Sequence, residues 1–131
     1  DKFVENDKEM EVQIRKAFVN ISGILRKRDY AIPWIQELKE KGYLVNQQVI
    51  TKINYGKIEI ETPLKIDLLV NETIVIEIKT VEKLLPVHQA QLMTYMKILK
   101  KPQGLLINFY TDNITKSMIP LVNEYFSKLS E

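Results

Sequence analysis

IDLLVNETIVIEIKT, residues Ile66 to Thr80, holds two strand-length runs of aliphatic residues separated by Asn71, Glu72 and Thr73. Such runs around a polar break read as a β-hairpin. Asp67 lies in the first half, and Glu77 and Lys79 lie in the second. Loop length decides what the hairpin can do, because residues opposite each other across an antiparallel pair share a face. A two-residue loop at Asn71 and Glu72 sets Asp67 against Ile76 and sends the two acids to opposite faces. A three-residue loop, Asn71 to Thr73, sets Asp67 against Glu77, Lys65 against Lys79 and Leu69 against Val75. The other face then belongs to Ile66, Leu68, Val70, Ile74, Ile76 and Ile78. Only this second register segregates charge. It sets the two carboxylates about 5 Å apart at Cβ, where they repel at neutral pH unless a cation, a proton or a lysine intervenes.

On the N-terminal side, Met10, Ile14, Phe18, Ile21 and Leu25 recur at helical spacing between Lys8 and Arg28, which predicts an amphipathic helix. Pro33 suits the first turn of a second helix that ends at Gly42. The period then shortens. LVNQQVITKINY (44–55) and KIEIE (57–61) read as two antiparallel strands turning at Tyr55 and Gly56, and LKIDLLV and TIVIEIKT as two more. Downstream, Pro86 opens a helix with an apolar stripe of Val87, Ala90, Leu92, Met93, Met96 and Leu99. GLLINFY follows as a strand buried on both faces, so the helix reads as a parallel crossover. Ser117 to Leu129 is helical in period, with Pro120 near its first turn or kinking it. The expected order is α-α-β-β-β-β-α-β-α, an α/β fold.

A chain of 131 residues has room for one domain with a real core, so residues 1–131 read as a single domain. With 45% hydrophobic and 27% charged residues it has the composition of a folded protein. The formal net charge of +2 permits a polyanionic partner but is weaker than the footprint of a dedicated nucleic-acid binder. No cysteine is present, which rules out thiol chemistry, disulfides and cysteine-ligated zinc and agrees with a cytoplasmic location. The longest apolar runs are only strand-length, so neither a membrane span nor a signal peptide is expected.

The paired acids suit a hard divalent cation such as Mg²⁺, which takes one or two carboxylates, waters and phosphate oxygens. Lys79, one position further along the same face, is placed to hold a water or offset developing charge. The competing reading is a solvated strand face, since alternating acids and lysines also serve solubility. Gln91 and Tyr95 lie four residues apart on one helix face, within reach of a phosphate or of the lysine. His88 lies three residues before Gln91, on a neighbouring part of that face.

Asp67, then Glu77-Ile78-Lys79, then Gln91-x-x-x-Tyr95 resembles the PD-(D/E)XK nuclease superfamily, the last pair being similar to the helix motif of its RecB-like branch. The run from Ile66 to Phe109 resembles the small bacterial GxxExxY-type proteins, tracking their typical sequence almost position by position over about a third of the chain. The resemblance implies a restriction-endonuclease-like three-layer sandwich with a central mixed sheet. It also implies a Mg²⁺ or Mn²⁺ site at Asp67, Glu77 and the Ile78 backbone carbonyl, Lys79 as catalytic lysine, and Gln91 and Tyr95 in support. DNA is the implied substrate. The N-terminal third departs from that pattern. The family's first helix carries a glycine, a glutamate three residues on and a tyrosine three after that. GILRKRDY (23–30) has one residue too many and offers Arg26 or Lys27 where the glutamate belongs. Arg26, Lys27, Arg28 and His88 are accordingly candidate nucleic-acid contacts. This departure motivates an alternative: a nuclease fold that binds nucleic acid or a protein without cutting. A third reading is an assembly domain that forms a homodimer through its N-terminal helices.

Overall fold

In the computed structural model, which describes residues 7–27, 34–47, 49–64, 66–111 and 113–129, the opening hairpin forms the middle of a five-stranded sheet. Its strands, in spatial order, are β1 (Val45–Asn46), β4 (Leu68–Val70), β5 (Ile74–Lys79), β6 (Gln103–Asn108) and β7 (Met118–Val122). The β5–β6 pair is parallel and the others antiparallel. Helix α3 (Pro86–Leu99) makes the crossover between β5 and β6, as parallel neighbours require.

Leu68 pairs with Ile76, Leu69 with Val75 and Val70 with Ile74, so the loop has three residues, Asn71 to Thr73. Within it the Thr73 amide donates to the Val70 carbonyl at 3.1 Å, and Asn71 and Glu72 take φ values of 53° and 58°. Positive φ at both central positions is the signature of a type I′ turn, whose twist suits a hairpin and which asparagine tolerates well. Asn71 also anchors the sheet edge. Its amide donates to the Leu44 carbonyl at 2.8 Å, and its Oδ1 accepts from the Leu44 amide at 3.0 Å, just before β1.

The alternation of β4 and β5 feeds two cores. Leu68, Val70, Ile74 and Ile76 pack with Leu105 and Ile107 against Ile21 and Ile24 of α1 (Asp7–Lys27) and Leu38 of α2 (Trp34–Glu40). Leu69 and Val75 pack with Leu106 against Leu92 and Met96 of α3. The result is helix, sheet, helix, an α/β sandwich with a mixed sheet. Ile66 departs from the expected alternation: it packs with the α3-side group, because the chain bends at Asp67 before β4 begins. Lys65, expected opposite Lys79, lies outside the described residues. The apolar stripe of α3 is narrower than its sequence implies, for Val87 is 63% exposed and Ala90 is also exposed.

Two segments differ from the sequence-based expectation. LVNQQVITKINY is not one strand. Only Val45 and Asn46 join the main sheet, whereas β2 (Val49–Tyr55) pairs with β3 (Ile58–Leu64) in a separate two-stranded sheet. Tyr55 pairs with Ile58, so Gly56 and Lys57 form the turn, with glycine at φ 63°. The C-terminal stretch is not one helix either. A 3₁₀ turn (Ile114–Ser117) leads into β7, and only α4 (Glu124–Leu129) is helical. Pro120 pairs with Leu105 inside β7. It is tolerated because β7 is an edge strand, with no further neighbour among the described residues to receive an N–H. Asn123 then starts the short helix, its Oδ1 accepting from the Tyr125 amide at 3.0 Å.

Candidate active site

The β4–β5 register that puts Leu68 against Ile76 brings Asp67 and Glu77 to neighbouring positions at the sheet end nearest the start of α3. Asp67 is exposed. Its Oδ2 accepts from the Ile78 backbone amide at 2.6 Å, and its own amide donates to the Ile76 carbonyl at 3.2 Å. The carboxylate thus replaces a strand partner at the bend and is fixed by β5 itself. Glu77, in contrast, is only 2% exposed. Its Oε1 lies 3.8 Å from Lys79 Nζ, while its Oε2 is buried without a hydrogen-bond partner. Burial pushes the Glu77 pKa above the ordinary carboxylate value; the Lys79 ammonium opposes this, and the charge of Asp67 adds to it.

From Lys79 a relay of contacts runs to the crossover helix. Its Nζ donates to Gln91 Oε1 at 3.1 Å, and Gln91 Nε2 donates to the Tyr95 hydroxyl at 3.2 Å. Tyr95 packs against the α3-side core. The spacing of four residues is what allows this, since it stacks Gln91 and Tyr95 on one helical face. His88 does not join the relay. Its Nδ1 accepts from the Leu85 amide at 2.9 Å, capping the first turn of α3. Arg26 and Lys27 end α1, but their side chains, like the whole of Arg28, lie outside the described residues.

Taken together, these groups form a one-sided polar cluster on an apolar bed: two carboxylates, one buried with an orphan oxygen, and an amine aimed by an amide. A buried, unpartnered carboxylate oxygen is costly unless something positive meets it. The donor set therefore fits a hard divalent cation held by Asp67 and Glu77, its remaining positions filled by waters, a carbonyl or phosphate oxygens. No group of three or more His, Cys, Asp or Glu that would hold a metal occurs among the described residues. Nor do they hold a helix long and apolar enough to cross a membrane.

Comparison with known proteins bears on the family and the fold. The family model for the PD-(D/E)XK nuclease superfamily matches residues 8–119. The chain belongs to that superfamily. A solved structure titled "Crystal structure of SSO0001" is similar in fold, with a TM-score of 0.51 and 20% sequence identity over 92% of this chain and 67% of that one. No curated protein matches. The superfamily is one of nucleases, which act on nucleic acid and typically use divalent metals, and the two-acid and lysine cluster sits within the matched span.

The sequence alone did not single out Asn108, which is 5% exposed and ends the apolar run of β6 beside Lys79. The available signal was a buried amide closing the aliphatic run Leu105–Ile107. Nor did it reveal that Asp67 would bond the Ile78 amide, because that contact depends on the bend.

Proposed function

We propose that the chain is a Mg²⁺- or Mn²⁺-dependent nuclease that hydrolyses phosphodiester bonds of DNA. The observation that carries this reading is the buried Glu77 Oε2 without a partner, beside Asp67 and a lysine aimed by Gln91. Asp67 and Glu77, with the Ile78 carbonyl, hold the cation. Bound there, the cation supplies Lewis-acid activation of the phosphodiester and a more acidic water. Lys79 orients the attacking water and offsets charge developing on the phosphate. Gln91 fixes the amine's direction, and Tyr95 fixes Gln91 from the core side. His88, at the exposed start of α3, and the basic run Arg26, Lys27 and Arg28 contact the nucleic-acid backbone. A cytoplasmic location accords with a cysteine-free chain.

The test is incubation with single- and double-stranded DNA and Mn²⁺. Cleavage is expected, with Lys79→Ala and Asp67→Ala each lowering the rate by about 10²-fold or more. Cleavage that survives both substitutions intact would sink the assignment.

A second reading is favoured by the absence of a cluster of three or more metal-ligating side chains among the described residues and by Arg26 or Lys27 standing where the first-helix glutamate of the GxxExxY-type proteins is expected. Here the domain binds nucleic acid without cutting. It predicts binding that persists in EDTA, weakens as salt rises and is reduced when Arg26 and Arg28 are neutralised. Absence of Mn²⁺ binding by calorimetry, together with retained DNA binding, would favour it over the nuclease.

A further inference from the structure

We propose that Asn108 is a positioning residue for Lys79, acting through the backbone that leaves β5; this rests on the reading of Lys79 as part of the active site. Asn108 sits directly beside Lys79 in the parallel β5–β6 register. Its side-chain amide works in both directions on one residue of the neighbouring segment: Nδ2 donates to the Val81 carbonyl at 2.7 Å, and Oδ1 accepts from the Val81 amide at 3.1 Å. A side chain thereby imitates one more rung of sheet, two residues past Lys79. The same Oδ1 accepts from the Tyr110 amide at 3.2 Å.

Around this amide the backbone is also tied. The Phe109 amide donates to the Lys79 carbonyl at 2.8 Å, and Ser117 Oγ donates to the Asn108 carbonyl at 2.6 Å. The connection from Thr80 to Leu85 is therefore held at both ends, by Asn108 at Val81 and by the His88 imidazole at Leu85. That connection sets the distance between the strand carrying Glu77 and Lys79 and the helix carrying Gln91. A residue held to one geometry on both sides keeps its amine in reach of the Gln91 oxygen without a search over rotamers. Groups that orient reacting groups in this way are commonly worth about 10- to 100-fold in rate or affinity.

Gln103 supplies the control. It lies at the other end of the same strand, is equally buried at 5%, and also bonds main chain, donating to the Leu121 carbonyl at 2.9 Å. Its side-chain hydrogen bonds go to the Gly104 and Leu121 carbonyls, and in the sheet it pairs with Ile74, five residues before Lys79. Asn108→Ala, Asn108→Asp and Gln103→Ala are to be compared in DNA cleavage with Mn²⁺. Asn108→Ala is expected to lower kcat by about 10- to 100-fold with KM little changed. Asn108→Asp keeps the acceptor but sets a carboxylate against the Val81 carbonyl, so it should not rescue. Gln103→Ala should keep kcat within a few-fold. In a cycle with Gln91→Ala the two losses should be strongly non-additive.

A second readout is independent of cleavage: peptide-resolved labelling of lysine amines in the folded proteins. Lys79 should label several-fold faster in Asn108→Ala and at the parental rate in Gln103→Ala. Equal Lys79 labelling in all three proteins, or equal kcat losses in Asn108→Ala and Gln103→Ala, overturns the proposal. A parent that cleaves no DNA overturns the nuclease reading instead, and labelling then decides the role of Asn108.

Discussion

Glu77 is the residue on which the site's electrostatics turn. Its pKa is raised chiefly by burial, so the folded protein binds a proton there more readily than the unfolded chain. Between the ordinary value of 4.5 and the raised one, the folded state carries more protons, and stability falls as pH rises through that window. Glu77→Gln removes the ionised form. Without metal, the variant is expected to melt a few degrees above the parent at neutral pH, with the gain vanishing below pH 4.5. Thermal melts over a pH series in EDTA check this, and a parent that is more stable than the variant at neutral pH would contradict it. The sign reverses once a divalent cation is supplied. The ionised carboxylate then has a partner, so Mn²⁺ should raise the melting temperature of the parent and not that of Glu77→Gln.

At the scale of elements, β6 illustrates how tightly the sheet and the crossover helix are fitted. A Cβ on Gly104 would lie 2.5 Å from Met96 Sδ and 3.3 Å from Leu92 Cδ2, and both of those residues are fully buried. Gly104→Ala is therefore expected to destabilise by about 1–3 kcal/mol through overpacking, measurable by urea denaturation; a neutral substitution would mean that the Met96 side chain has somewhere to go. This closeness also bears on legibility. Periodicity revealed α1, α3, the central hairpin and β6 because each has a marked apolar pattern. It failed at Met118–Val122, where five residues, one of them a proline, satisfy either period and only the neighbouring β6 decides for strand. It failed again after Asn46, where the expected single strand splits: Val45–Asn46 joins the main sheet beside the Asn71–Leu44 contact, a long-range contact with no local trace. The candidate site was legible for the opposite reason: Asp67, Glu77, Lys79, Gln91 and Tyr95 are held by one loop length and one helical spacing, both local. Asn108 was not, since its partner Val81 lies across the crossover.

Across the whole molecule, the residues that meet at the site come from a continuous stretch, Asp67 to Tyr95, while the β2–β3 hairpin forms its own sheet. A two-stranded sheet outside the main ladder is marginal by itself. Amides of β2 and β3 should exchange with solvent well before those of β5 and β6, which native-state hydrogen exchange would reveal as separate opening events. Uniform protection across both sheets would show that the hairpin is cooperative with the core.

The three-residue turn at Asn71–Thr73 has a kinetic corollary. It closes the smallest loop in the main sheet and is followed by a single helical crossover, so the central strands find each other at little cost in chain entropy. The hairpin and crossover are thus well placed to form the folding nucleus, with β1 and β7 added later. Asp67, at the entry to β4, and Glu77 and Lys79 of β5 would then be aligned before the outer strands arrive, and the face proposed as catalytic would be inherited from the earliest structure the chain makes.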